Sequence, residues 1–324
     1  MTMQGIRAAL VALALMPCAA HAGIEDTVRA RFTESCAVTA QDSEQQAYTA
    51  CRTALFSDAS FHRLFAPVLR WGGDAAGKSI SELSLTQFDP RIFAGLYLPL
   101  FKTTGRLIAE FDEVEKRTVL KLQVRFRNQL DIGQYPYPFW HSPAKWSAYE
   151  AANQLLFYVN DSGLIDVVLR SPQGTEKGLP AVKPVAPPAF DGKWSWSNGE
   201  DQPQPATSWF GGLLRAENPH LDRVVETYRQ FANSLRASDC TTCHVPSNPA
   251  FSKRLVLLQT PAHAAGEIRR VLAAVRDSKM PVDDLGEPRH LSDALKSVLL
   301  REGQSFSDTI DAALAWERQR DSHH

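Results

Sequence analysis

Between Pro172 and Pro205 the chain loses every regular hydrophobic period. The stretch SPQGTEKGLPAVKPVAPPAFDGKWSWSNGEDQPQP is crowded with proline and glycine, residues that remove a backbone donor or leave φ unrestrained. Such a run ends whatever element precedes it and starts none, so it divides the chain into an earlier and a later folding segment. It reads as an extended connection with one short strand around Trp194 and Trp196. The 324 residues, 44% of them hydrophobic, are enough to give each side a core. The expected organisation is a first unit over 23–190, a Pro/Gly/Trp-rich linker over 191–217 and a second unit over 218–324.

Ahead of the first unit stands MTMQGIRAALVALALMPCAAHAGIED: one Arg7, an apolar run from Ala8 to Met16, then Ala20-His21-Ala22 before Gly23. This is the charge, length and small-residue pattern of a signal peptide, expected to be cleaved after residue 22. No later run approaches the ~18 apolar residues of a membrane span, so the mature chain is expected to be a soluble periplasmic protein. Cleavage removes Cys18 and leaves Cys36, Cys51, Cys240 and Cys243 in an oxidising compartment. Cys36 and Cys51 flank a polar turn between two helical patterns and are expected to form a disulfide.

The first unit reads as an α+β domain. Residues 24–70 carry helical spacing in IEDTVRARFTESC, SEQQAYTACRTALF and FHRLFAPVLRW. RLIAEFD (106–112) and TVLKLQVRFR (118–127) then alternate around the turn EVEK, which predicts a hairpin. A short helix from Ala144 to Asn153, opened by Ser142 and Pro143, leads into a second hairpin, 155–159 and 164–169, around Asn160-Asp161-Ser162-Gly163. Between the hairpins, Tyr135, Tyr137, Phe139, Trp140, His141 and Trp146 concentrate in one stretch. They are either an aromatic mini-core or a binding surface that caps a cofactor.

The second unit holds Cys240-Thr-Thr-Cys243-His244. A structural zinc site needs four ligands, and no second cysteine pair exists. A thioredoxin-like C-x-x-C opens a helix after a strand, whereas here an amphipathic helix precedes the motif. What remains is covalent haem c attachment: two thiols add across the haem vinyl groups, and the adjacent imidazole reaches the iron. Of four methionines, Met1, Met3 and Met16 leave with the signal peptide. Met280 is then the lone thioether, in the polar turn RDSKMPVDD, and it is the expected sixth ligand beside His244. The alternative is a core-filling methionine; His263 is a further candidate for the sixth position.

With its helix Leu221–Arg236, the CxxCH motif, a middle helix Ala264–Arg276, Lys279-Met280-Pro281 and a last helix Ser307–Arg320, the segment 218–324 resembles the class I cytochrome c family. The resemblance implies an all-α domain whose first and last helices cross above the haem. Val224, Val225, Tyr228, Phe231 and Leu235 would meet Ile310, Ala313, Leu314 and Trp316 there. An extra helical stretch, Leu291–Leu300, departs from the family pattern.

Net charge is −1, with 35 basic and 36 acidic residues, which points to no nucleic acid or anionic membrane. No G-x-S-x-G, P-loop, G-x-G-x-x-G or H-E-x-x-H is present, and Asp283-Asp284 reads as a solvated turn rather than an acid pair. A periplasmic mono-haem electron carrier follows, with periplasmic redox proteins as partners and no catalytic residue. The first unit then docks the partner or caps the haem. The alternative is a haem enzyme or ligand sensor with an open or displaceable distal site.

Overall fold

The computed structural model describes residues 18–37, 43–73, 78–83, 85–130, 143–174, 210, 213–240, 244, 261–283 and 285–321. The signal-peptide core, the aromatic run from Tyr135 to His141, nearly all of the Pro172–Pro205 connection, and Cys243 lie outside them.

Helix α1 (Cys18–Cys36) and helix α2 (Glu44–Ser57) start the chain. The entry to α2 is set by a reciprocal cap: Ser43 Oγ accepts the Gln46 N–H at 3.2 Å and Gln46 Oε1 accepts the Ser43 N–H at 3.2 Å. Cys36 and Cys51 are bonded, as expected, and both are fully buried between the two helices. Closing a loop of 15 residues contributes about 3 kcal/mol in the chain-entropy account.

The third helical expectation is corrected. In FHRLFAPVLRW only the single turn α3 (Ala59–His62) is helical, and Phe65–Gly73 form strand β1. Pro67 is the reason: inside a helix it would remove a donor and clash with the preceding turn. In β1 it falls within the register shift between Phe65 and Arg70, where the ladder to the neighbouring strand is already interrupted. Beyond it Leu69 and Trp71 turn inward together, which is strand spacing.

Strand β2 (Thr86–Phe88), helix α4 (Pro90–Leu96), β3 (Phe101–Asp112), β4 (Arg117–Phe126), helix α5 (Pro143–Glu150), β5 (Gln154–Val159) and β6 (Ile165–Ser171) follow. The two expected hairpins and the helix between them are present, and β1 and β2 extend them. The result is a six-stranded mixed sheet in the order β2-β1-β6-β5-β4-β3, antiparallel except where β1 lies parallel to β6. Alternate residues serve opposite faces. Leu120, Leu122, Phe157 and Val168 enter the main core, while Val119, Leu156, Val167 and Leu169 meet Ile80 and Leu85 on the other face. Trp146 and Tyr149 of α5 are buried against Phe126, with ring centroids 5.8 and 5.5 Å away, so this end of the aromatic run belongs to the core.

Among the described residues three long helices follow: α6 (Leu221–Ala237), α7 (Pro261–Arg276) and α8 (Asp293–Asp321). The expected separate stretches Leu291–Leu300 and Ser307–Arg320 are one continuous helix. Gly303, which costs helix propensity in isolation, stays helical here because it is needed where helices touch. A Cβ at this position would lie 2.7 Å from Leu272 and 2.9 Å from Phe231. Helices α6 and α8 pack against each other through Tyr228, Phe231 and Phe306, with ring centroids 5.6 and 6.1 Å from Phe306, and Ile310, Ala313 and Leu314 continue the contact. Val225 is only partly buried, and Trp316 lies half-exposed under Arg320.

The main core runs without a break from the sheet into these helices. Gly266 of α7 sits on β2, where a Cβ would meet Gln87 O at 2.5 Å. Beside it the buried Glu267 accepts the Gln87 N–H at 2.8 Å and pairs with Arg270 at 2.9 Å, and Arg270 also donates to Leu85 O at 2.9 Å. On α8 the buried Glu317 accepts from Arg215 Nη1 at 2.5 Å and from Asn218 Nδ2 at 2.9 Å, with Arg91 Nη1 of α4 at 3.9 Å.

Burial of Glu267 disfavours its charge and pushes its pKa from 4.5 up to about 7, against the pull of Arg270 and the Gln87 N–H. Between these values the folded chain holds a proton that the unfolded chain has released. Stability therefore falls as pH rises from about 4.5 through about 7. His62 acts in the opposite sense: burial and Arg91 hold it at about 4, so its contribution is lost as pH drops below 6.5. Glu267→Gln is expected to remove a pH-dependent difference of about 2–3 kcal/mol between pH 4.5 and pH 7.5. Urea unfolding of both proteins at several pH values measures it; parallel profiles would refute the assignment.

Candidate functional site

Helix α6 brings its C-terminal end to the motif. It closes with the Ser238 N–H donating to Ser234 O at 3.1 Å. Asp239 then turns the chain out in the left-handed region (φ 58°), which aspartate tolerates better than most residues. Cys240 follows, half-buried and packed against the main core, with Sγ 3.7 Å from Ser238 O. The His244 N–H donates to Cys240 O at 3.1 Å. That bond brings the backbones of Cys240 and His244 together. Cys243 lies outside the described residues.

Met280 follows helix α7. Helix α7 is stopped by Ser278 (φ 54°) and by the Lys279 N–H, which donates back to Ala274 O at 2.9 Å. Met280 next lines a cleft of about 330 Å³ together with Val275, Ser278, Leu291 and Lys296. It is half-buried, so it does not fill the core. The loop beyond it is organised by Asp283, whose Oδ1 accepts the N–H groups of Leu285 and Glu287, each at 2.9 Å. Asp283 thus has the turn-forming role read from the sequence, and Asp284 is outside the described residues.

His220 holds the N-cap position of α6 but makes no side-chain cap; Asn218 accepts the His220 N–H at 3.0 Å instead. His290 is exposed, lies in a loop and lines the Met280 cleft. The side chain of His263 is not among those described. Among the described residues no cluster of three or more His, Cys, Asp or Glu side chains is placed to hold a metal ion by itself.

The donor chemistry can be tested against a covalently tethered haem. Such a group takes thiolate-derived thioether links, a proximal imidazole and a thioether or second imidazole. Cys240, His244 and Met280 supply these types, and all three are half-buried, neither sealed in the core nor fully exposed. Their donor types match those that such a group takes. The sequence missed the buried carboxylates Glu267 and Glu317. Their only local signal is a basic residue nearby on the same helix, Arg270 or Arg318, and many exposed helical pairs look identical.

Among the described residues no helix is long and apolar enough to cross a membrane. No protein-family model, curated protein or solved structure matches this chain.

Proposed function

We propose that this chain is a mono-haem c-type cytochrome that passes single electrons between redox proteins of the periplasm. In this reading residues 218–324 form a haem domain of the class I cytochrome c type, and the sheet-bearing unit over 23–190 docks the partner or caps the haem. The observation that carries the reading is the backbone bond from His244 N–H to Cys240 O just beyond a helix packed against α8. The Cys36–Cys51 disulfide supports export to an oxidising compartment.

Each side chain has a separate task. Cys240 and Cys243 would tether the ring, and His244 would bind its iron. Met280 would supply a second iron ligand, which would leave no site open to a substrate and so favours transfer over catalysis. Its soft sulfur would favour the reduced metal and raise the potential. When bound, the haem supplies the one-electron couple.

The test is the absorption spectrum of the chain matured in an exporting host that attaches haem c. A low-spin spectrum in both oxidation states, with a sulfur-to-iron charge-transfer band in the near infrared, is expected. A colourless protein refutes the proposal. A high-spin ferric spectrum refutes the carrier role and leaves only the tether.

A further inference from the structure

Strand β3 ends the sheet and pairs with β4 on one side only. On its outer side Ala37 bridges Thr103, and among the described residues no other segment pairs with it there. The edge is therefore open from Thr104 to Asp112, where the turn to β4 begins, and Ile108 is its midpoint. Its backbone groups point outward. The Arg127 N–H donates to Leu100 O on the β3 side of β4, and the Val124 N–H donates to Asn153 O on the β5 side. Odd-numbered residues of β4 thus serve β3. Lys121 and Val119 face Ile108 and Glu110 in this way, which leaves the N–H and C=O of Leu107, Ala109 and Phe111 turned to the free edge. An edge of this length is a template for another strand unless its side chains oppose pairing.

We propose that this edge pairs with the same edge of a second copy of the chain, antiparallel about a two-fold axis at Ile108. In that register Ile108 faces Ile108 of the second copy, and Arg106 faces Glu110 on both sides of the axis. The charges select this occupant. Arg106, Ile108 and Glu110 alternate on one face and all are exposed. Glu110 pairs with Lys121, whereas Arg106 has no ion-pair partner among the described residues. Opposite charges facing across two strands favour pairing, and like charges oppose it. A centre at Ala109 instead would set Ile108 against Glu110 and Arg106 against Asp112. Asp112 is already committed: its Oδ1 accepts the N–H groups of Val114 and Glu115 at 2.9 and 3.0 Å, and its Oδ2 accepts the Tyr158 O–H at 3.1 Å. Ile108 and Phe111, 43% and 55% exposed in the single chain, add apolar contact across the join. The interface uses the same patch on both copies, so it closes as a dimer and joins the two six-stranded sheets into one. The inference does not depend on haem.

Sedimentation equilibrium of the full chain, from micromolar to sub-millimolar concentration, reads the association. The wild type is expected to dimerise. Arg106→Glu is expected to weaken dimerisation by about tenfold or more, because both charge pairs turn repulsive. Glu110→Arg is expected to do the same, and an equimolar mixture of the two variants to recover association, since each mixed dimer again sets opposite charges face to face. Ile108→Cys is expected to give a disulfide-linked dimer on mild oxidation, because facing Cα atoms in a non-hydrogen-bonded pair lie about 4.5 Å apart, within disulfide reach. Phe111→Cys, whose counterpart lies well along the strand, is expected not to. A wild type that stays monomeric, its edge left to an extended segment of another protein, overturns the inference. So does a dimer indifferent to both charge variants, or Phe111→Cys cross-linking as readily as Ile108→Cys.

Discussion

Replacing both Cys240 and Cys243 with alanine is expected to yield a polypeptide that carries no haem after denaturation and extraction, whereas the unaltered chain keeps its colour through the same treatment. The loss is all-or-none because a thioether bond survives unfolding and a coordinate bond does not. Helix α6 should remain, since its packing against α8 rests on Tyr228, Phe231 and Phe306 rather than on the motif. Far-ultraviolet circular dichroism of the apo variant, alongside haem content per chain, measures both. Haem retained by the double variant through extraction would show that the thiols are not the tether. Equal metal-free behaviour of variant and parent, with neither coloured, would leave Cys240 and Cys243 as an ordinary thiol pair.

Glu317→Ala is expected to cost about 3–5 kcal/mol, because it strands buried positive charge. The Glu317 carboxylate is fully buried and receives Arg215 and Asn218, with Arg91, itself 2% exposed, close by. Burial, helped by Arg215 and Arg318, pulls the Arg91 pKa down to about 10 against Glu317, the largest opposing influence, and Asp89. Removing the Glu317 carboxylate takes away the stronger of these two opposing charges, and the Phe56 carbonyl, reached at 3.3 Å, is a neutral acceptor. Urea unfolding followed by far-ultraviolet circular dichroism checks the magnitude. Because this network joins α4 to α8, the helical and sheet signals should weaken together. A change below about 1 kcal/mol, the usual size for an exposed ion pair, would contradict the burial argument.

The continuity of the core explains why these effects should spread. Gly266 lies against β2, and Glu267 accepts the N–H of the partly buried Gln87. The helical segment and the sheet are therefore joined by a close backbone approach and a charge-assisted hydrogen bond.

Much of the local structure could be read from residue order because its physics is local. The β3–β4 and β5–β6 hairpins follow from alternation on either side of turn residues, α6 and α7 from their apolar spacing, and the Cys36–Cys51 bond from two cysteines flanking a short polar turn. The C-x-x-C-H run carries its chemistry within five residues. What failed was local inference where partners are distant. FHRLFAPVLRW has helical spacing, yet β1 forms because β6, nearly a hundred residues later, offers it a parallel edge. Gly303 looks like a helix break until Phe231 and Leu272 are brought against it. His290 and Met280 are ten residues apart in the chain, yet they line one cleft. Sequence alone determined the short-range elements and the donor types, since spacing and side-chain chemistry need no partner. Tertiary structure decided which strands pair, which carboxylates are buried and which two donors share a cleft, because those depend on segments that only packing brings together.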